Sequence, residues 1–220
     1  MAHPLIIAID GPSGVGKGTV ARRVAEALGY RHVDTGVMYR VVAWSALQAG
    51  VALDDEAAVA ELAARVAIEA NPEAVMAGQV DVTRAIRTPE IDGGASAVAR
   101  LPLVRAALVR RQRAMGASGG IVMEGRDIGT VVFPHADVKI YLDASPEERA
   151  KRRANDSAHA GRGRAAHEVA AEMTARDRAD STRAASPLAI AEGAVVIDTT
   201  HLTIDEVVAR VLEVAAACRR

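Results

Sequence analysis

The chain has 220 residues, half of them hydrophobic and a quarter charged, which suits one good-sized globular domain with room for inserted lobes. A formal net charge of −1 and an aromatic content of 2% give no global field and few stacking platforms, so nucleic acid and anionic membranes are poor partners. The one cysteine, Cys218, excludes an internal disulfide framework and fits a reducing compartment. The six histidines show no pair at metal-ligand spacing, and no apolar run has the length of a membrane span or the basic flank of a secretory signal. A cytoplasmic monomer without nucleic-acid or membrane partners is the expectation.

In chain order, residues 5–9 read as a buried strand that stops at Asp10-Gly11. A glycine-rich turn follows, and then "TVARRVAEALG" places Val20, Val24 and Leu28 on one helical face before Gly29 ends the run. The stretch "DEAAVAELAARV" keeps a helical period through Val59, Leu62 and Val66. Residues 66–92 break into short alternating pieces with turn signals at Asn71-Pro72 and Ala77-Gly78, which predicts a small antiparallel insert. Further strands are read at 120–125, 138–145 and 193–198, with helices over "PLVRAALVRRQRA" and "TIDEVVARVLEVAAAC". Strands alternating with helices imply an α/β fold, a parallel sheet covered on both faces. Residues 149–183, dense in arginine and with "HAGRGR" in the middle, read as a basic flap between helices.

"GPSGVGKGT" at 11–19 carries the strongest chemistry. Gly11, Pro12, Ser13, Gly14, Val15, Gly16 and Lys17 fit a phosphate loop, except that Gly18 stands where the general pattern has Ser or Thr, with Thr19 next. Glycines 11, 14, 16 and 18 let backbone N–H groups turn onto phosphate oxygens, and Lys17 reaches the β- and γ-phosphates in front of a helix N-terminus. A nucleoside-triphosphate site follows; the acceptor does not.

Three arginine–carboxylate groupings bear on the acceptor. "DTGVMYR" at 34–40 offers the Thr35 hydroxyl near a helix start and the Arg40 fork beyond it; an N-cap with a surface arginine explains it equally well. In "EGRDIGTVVFP" at 124–134, a strand ends at Glu124 and presents Arg126 and Asp127 where parallel sheets bind ligands. Glu124 is placed to organise Mg²⁺ with Thr19, through water. "RDRADSTR" at 176–183 sets Arg176, Asp180 and Arg183 on one helical face, either a solvated salt-bridged surface or two forks around one carboxylate. Arg149, Arg152 and Arg153 open the basic flap and are placed to close over a transferring phosphoryl group.

Together these stretches resemble the bacterial cytidylate kinase family of P-loop nucleoside-monophosphate kinases. The likeness runs nearly end to end, through "IAIDGPSGVGKGT", "DTGVMYR", "IRT", "ASAVA", "GRDIGTVVFP", "KIYLDAS" and "RDRADSTRAASPL". The resemblance implies a parallel-sheet core at 1–34, 106–148 and 184–220, a monophosphate-binding lobe at 35–105 carrying the antiparallel insert, and a short helical lid at 149–183, all within one kinase domain. It implies that Arg40, Arg126 and Arg183 hold the phosphate of CMP or dCMP and that Ser96, Arg105 and Asp127 read the cytosine. Arg176 and Asp180 would hold the ribose, with Thr35 beside them in the acceptor site. Catalysis would fall to Lys17, Arg126, Arg183, Arg149 and Arg153, with ATP as donor and Mg²⁺ as cofactor. The sequence departs from the family at Ala179, which interrupts an arginine-rich run, and in the shortness of the insert.

An acceptor phosphate oxygen is already ionised near neutral pH, so transfer to it requires alignment and charge neutralisation, not a general base. A kinase of AMP or of a hydroxylated metabolite is the nearest rival, and a hydroxyl acceptor would require a base that no matched motif offers. A nucleotide-binding switch is the second rival, against which the paired arginine groupings count.

Overall fold

The computed structural model describes residues 3–71, 73–155 and 166–219. Ile7, Ala8 and Ile9 have no exposed surface, as a continuous apolar run requires when both faces of its strand are covered. They form β1 (Ile6–Asp10), followed by α1 (Lys17–Leu28) and β2 (Arg31–Asp34). Helix α1 buries Val20, Ala21, Val24 and Ala25, and Gly29 at φ 66° closes it by donating to the Ala25 and Glu26 carbonyls.

The next six elements build the predicted insert and its supports: α2 (Thr35–Gln48), α3 (Glu56–Arg65), β3 (Ile68–Ala70), β4 (Val75–Ala77), β5 (Val80–Asp81) and α4 (Pro89–Val98). The three short strands pair antiparallel in the order β3-β4-β5, with Ile68 opposite Ala77 and Met76 opposite Asp81. Too small to bury its own core, this sheet covers Val37, Val41, Ile86 and Ile91 from the neighbouring helices with Val75 and Ala77. Asp34, Asp55 and Thr88 cap α2, α3 and α4 by accepting from first-turn N–H groups. Helix α5 (Pro102–Gly116) seals the opposite side of α2 and α3, where Val104 and Leu108 meet Val42, Val59 and Val98.

The remaining elements return to the main sheet: β6 (Ile121–Gly125), β7 (Val138–Asp143), α6 (Pro146–Ala154), α7 (Ala166–Thr182), β8 (Val195–Asp198) and α8 (Ile204–Cys218). A single π-type turn, Ile128–Val132, follows β6. The main sheet has the order β2-β6-β1-β7-β8 with every pairing parallel. The chain thus passes from β1 out to β2, returns to β6 between them, and later continues on the other side of β1 at β7. That reversal opens a crevice at the carboxyl end of β1, where Asp10 stands opposite Gly125 and Glu124 opposite Asp34. The α/β fold and the antiparallel insert match the sequence reading. The strand expected over 193–198 starts only at Val195, because Gly193, at φ 74°, belongs to the preceding turn. "HAGRGR" at 159–164, read as the middle of the flap, lies outside the described residues.

Candidate active site

The loop between β1 and α1 follows from its glycines. Gly11 sits at φ +148°, and a Cβ there would lie 2.1 Å from the Leu142 carbonyl oxygen of β7. Gly14 and Gly16 also have positive φ, whereas Gly18 does not: it lies in the first turn of α1. Positive φ is thus used at Gly11, Gly14 and Gly16, while Gly18 offers its amide from the first helical turn. Gly18 makes room for an acid, since a Cβ on it would come 3.2 Å from Glu124 Oε1. No side chain caps α1, which leaves its N-terminal amides to an anion. Lys17 is buried and its Nζ donates to the Pro12 carbonyl at 2.7 Å. Burial, and then the Arg126 guanidinium, push this amine down to about 7, against the opposing pull of Glu124, Asp10 and Asp34. Pro12, Ser13 and Val15 are buried in the same loop, and Thr19 is exposed at the helix start.

The end of β6 packs against the loop. Glu124 is buried, with Oε1 3.1 Å from His32 Nε2 on β2, and burial followed by the nearby Asp34 raises its pKa. Thr35 Oγ1 donates to the Glu124 carbonyl at 2.7 Å, so its hydroxyl fixes β6 to α2, while Asp34 supplies the helix cap. On the adjacent strand, Asp10 accepts from the Ile128 and Gly129 amides at 2.8 and 2.7 Å. Burial lifts its carboxyl to about 6, those two amides pull it down, and Asp127 adds to the rise. One side chain thereby ties the start of the glycine loop to the turn that follows Asp127.

Guanidinium groups crowd the space in front. Arg126 pairs through Nε with Asp180 Oδ2 at 2.8 Å and donates to the Gly11 carbonyl at 3.0 Å, bridging loop, β6 and α7. Burial favours the neutral acid at Asp180, but Arg126, and then Arg176 and Arg183, hold its pKa below the usual carboxylate range. Arg176 is pushed down to about 10 by burial and then by the like charges of Arg126 and Arg40, and its Nε is buried without a hydrogen-bond partner. Arg40, on α2, pairs with Asp92 on α4 and donates to the Ile86 carbonyl at 3.2 Å. Arg153, on α6, reaches the other oxygen of Asp92 at 2.5 Å. Arg149 pairs with Asp177 and donates to the Ser13 carbonyl at 3.2 Å, while the Ser13 amide donates to Asp177 at 3.3 Å. The base of the basic flap therefore touches the tip of the loop.

A buried pair, Arg105 with Asp127, lies next to this group, the guanidinium 5.6 Å from the centre of the Tyr39 ring. Arg183 Nη2 stands 3.7 Å from the second oxygen of Asp127, and its Nη1 stands 3.7 Å from Asp180. Ser96 Oγ donates to the Asp92 carbonyl one helical turn back at 3.1 Å, not to Arg105 or Asp127. It lines a cavity of about 550 Å³ between α4 and α7, together with Ser13, Asp92, Arg153, Met173 and Arg176.

The sequence-predicted residues thus assemble at one crevice, with three corrections. Arg183 lies just past the end of α7, so it does not extend one helical face with Arg176 and Asp180. The close partner of Asp180 is Arg126, from a distant strand end, and not the two arginines of its own segment. Arg152 belongs to the scaffold: it grips Glu148 and the hydroxyl and carbonyl of Thr199, at 2.9 and 2.6 Å for the threonine. Sequence reasoning missed Asp10, His32, Tyr39, Asp92 and Asp177. Only Asp10, the acid at the strand end before the glycine loop, carried a positional signal.

A family model described as cytidylate kinase matches residues 7–217. The chain belongs to the cytidylate kinase family. The cytidylate kinase of Pelotomaculum thermopropionicum is 47% identical, the alignment covering 97% of each chain. That of Syntrophotalea carbinolica is 50% identical, covering 98% of this chain and 94% of the relative. Among solved structures, a gluconokinase from Sinorhizobium meliloti 1021 (TM-score 0.53, 14% identity, 99% of this chain and 94% of that one) shares the fold. So does a shikimate kinase from Bacteroides thetaiotaomicron (TM-score 0.52, 10% identity, 96% and 98%). Among the described residues no helix is long and apolar enough to cross a membrane.

Proposed function

We propose that this member of the family transfers the γ-phosphoryl group of ATP to CMP or dCMP, giving ADP and CDP or dCDP. The observation that carries the reading is the convergence of half-buried Arg40, Arg126 and Arg176, the first two close enough to push the Arg176 guanidinium down, in front of a glycine loop whose lysine is itself buried. Such an arrangement has an excess of desolvated positive charge at two adjacent places, one for each phosphate-bearing substrate.

On the donor side, residues 11–19 wrap the triphosphate with backbone N–H groups, and Lys17 exchanges the Pro12 carbonyl for phosphate oxygens. On the acceptor side, Arg40, Arg126 and Arg183 hold the monophosphate, and Arg176 with Asp180 and Thr35 faces the sugar. Asp127 commits one oxygen to Arg105 and turns the other toward Arg183 at a distance too long for a hydrogen bond. That oxygen remains to accept from the exocyclic amine of cytosine, with Ser96 completing the pocket. Transfer is an in-line displacement: the acceptor oxygen attacks the γ-phosphorus, the bond to the β-phosphate oxygen breaks, and ADP keeps the electron pair. Arg149 and Arg153 act from the flap by neutralising charge and excluding water.

Mg²⁺ fits the donor set. The Glu124 carboxylate, a hard oxygen donor, lies beside Gly18 at the end of the loop, and Thr19 follows with a hydroxyl. Mg²⁺ is held in this way, by one or two protein oxygens together with substrate phosphates. When bound it would supply charge neutralisation on the donor phosphates. His32 orients the Glu124 carboxylate for that task.

The division into core (1–34, 106–148, 184–220), acceptor lobe (35–105) and lid (149–183) is the frame for closure. A cytoplasmic monomer is the setting proposed with it, the lone cysteine fitting a reducing compartment. A panel of nucleoside monophosphates with ATP and Mg²⁺, assayed for ADP formation, tests the reading. Turnover is expected with CMP and dCMP foremost; faster turnover with AMP, or ATP hydrolysis without transfer, would overturn it.

A further inference from the structure

Asp92 is the acid at the mouth of the acceptor site that the proposed chemistry leaves unused. It sits in the first turn of α4 and holds two guanidinium groups at once, Arg40 from α2 and Arg153 from α6. All three side chains are only partly exposed, 20% for Asp92, 13% for Arg40 and 19% for Arg153, so solvent screens the triad weakly. Its field also reaches Arg176. One carboxylate oxygen meets Arg40 and the other Arg153, as two oxygens of one phosphate could. Asp92 thus fills, on Arg40, the place where an acceptor phosphate would bind, and ties the acceptor lobe to the base of the flap.

We propose that Asp92 is an internal counter-ion of the acceptor-phosphate subsite, which a monophosphate displaces from Arg40, so that Asp92 sets the affinity for the acceptor. The inference rests on the acceptor reading given above and deepens it. A phosphate dianion, with more charge and three oxygens, wins the exchange. Apparent affinity is nonetheless reduced by the fraction of molecules in which the fork is open.

The test is calorimetric titration, without ATP, of the wild type, Asp92→Asn and Asp92→Glu with CMP, inorganic phosphate and cytidine. Asp92→Asn keeps the shape and removes the charge. It is expected to bind CMP and phosphate about 3- to 10-fold more tightly, with cytidine binding unchanged. Asp92→Glu, which keeps the competitor, stays within about 2-fold of wild type. CMP and phosphate affinities that are equal or weaker in Asp92→Asn overturn the proposal, since a carboxylate that merely orients Arg40 would give that result. A lowered melting temperature without tighter binding marks Asp92 as structural and overturns it as well. If phosphate binding tightens in Asp92→Asn while no variant binds CMP, the acceptor assignment fails and the counter-ion role stands.

Discussion

Residues 11–19 are arranged for an anion with backbone: three glycines at positive φ, a helix N-terminus without a side-chain cap, and one buried lysine. The acceptor side is built of side chains, with guanidinium groups from α2, α5, α6 and the end of β6, each offset by an aspartate. The loop is fixed by local conformation, and its geometry exists before any ligand arrives. The acceptor side is fixed by pairs that span 22 to 61 residues of chain, and the proposed counter-ion role of Asp92 has one of them, Arg40 with Asp92, open when substrate binds. Backbone preorganisation therefore belongs to the donor half, where only the Lys17 contact with Pro12 is exchanged, and side-chain pairing to the acceptor half.

The harshest way to break that contrast is Gly11→Ala. Its φ of +148° disfavours a side chain, and the new Cβ would meet the β7 backbone, the Leu142 carbonyl, at 2.1 Å. Strain and overpacking together are expected to cost on the order of 3–5 kcal/mol of stability. Urea unfolding checks this; a loss under about 1 kcal/mol would mean that the loop is not held by local conformation.

Lys17→Ala sharpens the contrast without touching the backbone. Removing the cation of the glycine loop should lower turnover by about 10²- to 10³-fold, while CMP binding measured without ATP remains near wild type. Near-normal ATP-dependent activity would remove Lys17 from the donor site. A matching loss of CMP affinity would mean that the two halves are not separable.

The same difference explains what the sequence made legible. A strand, a glycine turn and a helix are consecutive, so "IAIDGPSGVGKGT" shows both the fold motif and its chemistry in one reading. The arginines Arg40, Arg126, Arg176 and Arg183 were visible as residues, and the likeness to a family placed them at one site. Which acids pair with them was not visible, because Asp92 and Asp180 are brought to Arg40 and Arg126 by tertiary packing, and no period or spacing encodes that. Arg152 and Arg153 are neighbours of one type, yet one grips Thr199 in the scaffold and the other reaches Asp92 across the cleft. Only the direction of α6 separates them. Gly18, read as part of the turn, proved to be helical because α1 starts one residue before it.

Asp10 joins the two halves, and its titration tests the joint. Its folded pKa, about 6, is raised above the ordinary 3.8 by burial. The favourable contribution is therefore fully present below about 3.8 and is lost as pH rises through about 6. Relative to Asp10→Asn, which cannot titrate, wild-type stability should fall between these values by on the order of 2–3 kcal/mol and then level off. Urea titrations of both proteins across that range measure the gap. A gap that widens in favour of wild type as pH rises would show the Ile128 and Gly129 amides outweighing burial, making Asp10 a fixed anion.

Base choice is the finest distinction the acceptor half is asked to make. Cytosine offers a donor amine where uracil offers an acceptor oxygen, and an ionised carboxylate only accepts. With Arg105 on one oxygen of Asp127, the other is available to the amine, whereas UMP would set two acceptors face to face in a buried pocket. Asp127→Asn keeps the size and supplies a donor, so the CMP-to-UMP ratio of kcat/KM should narrow by about 1–2 kcal/mol, roughly 5- to 30-fold. The substitution also leaves the Arg105 guanidinium buried without its anion, which lowers stability and absolute rates for both substrates. The ratio is the right readout because that shared loss cancels in it. An unchanged ratio with both rates reduced would make Asp127 a support for Arg105 and pass the reading of the base to Arg105 and Ser96.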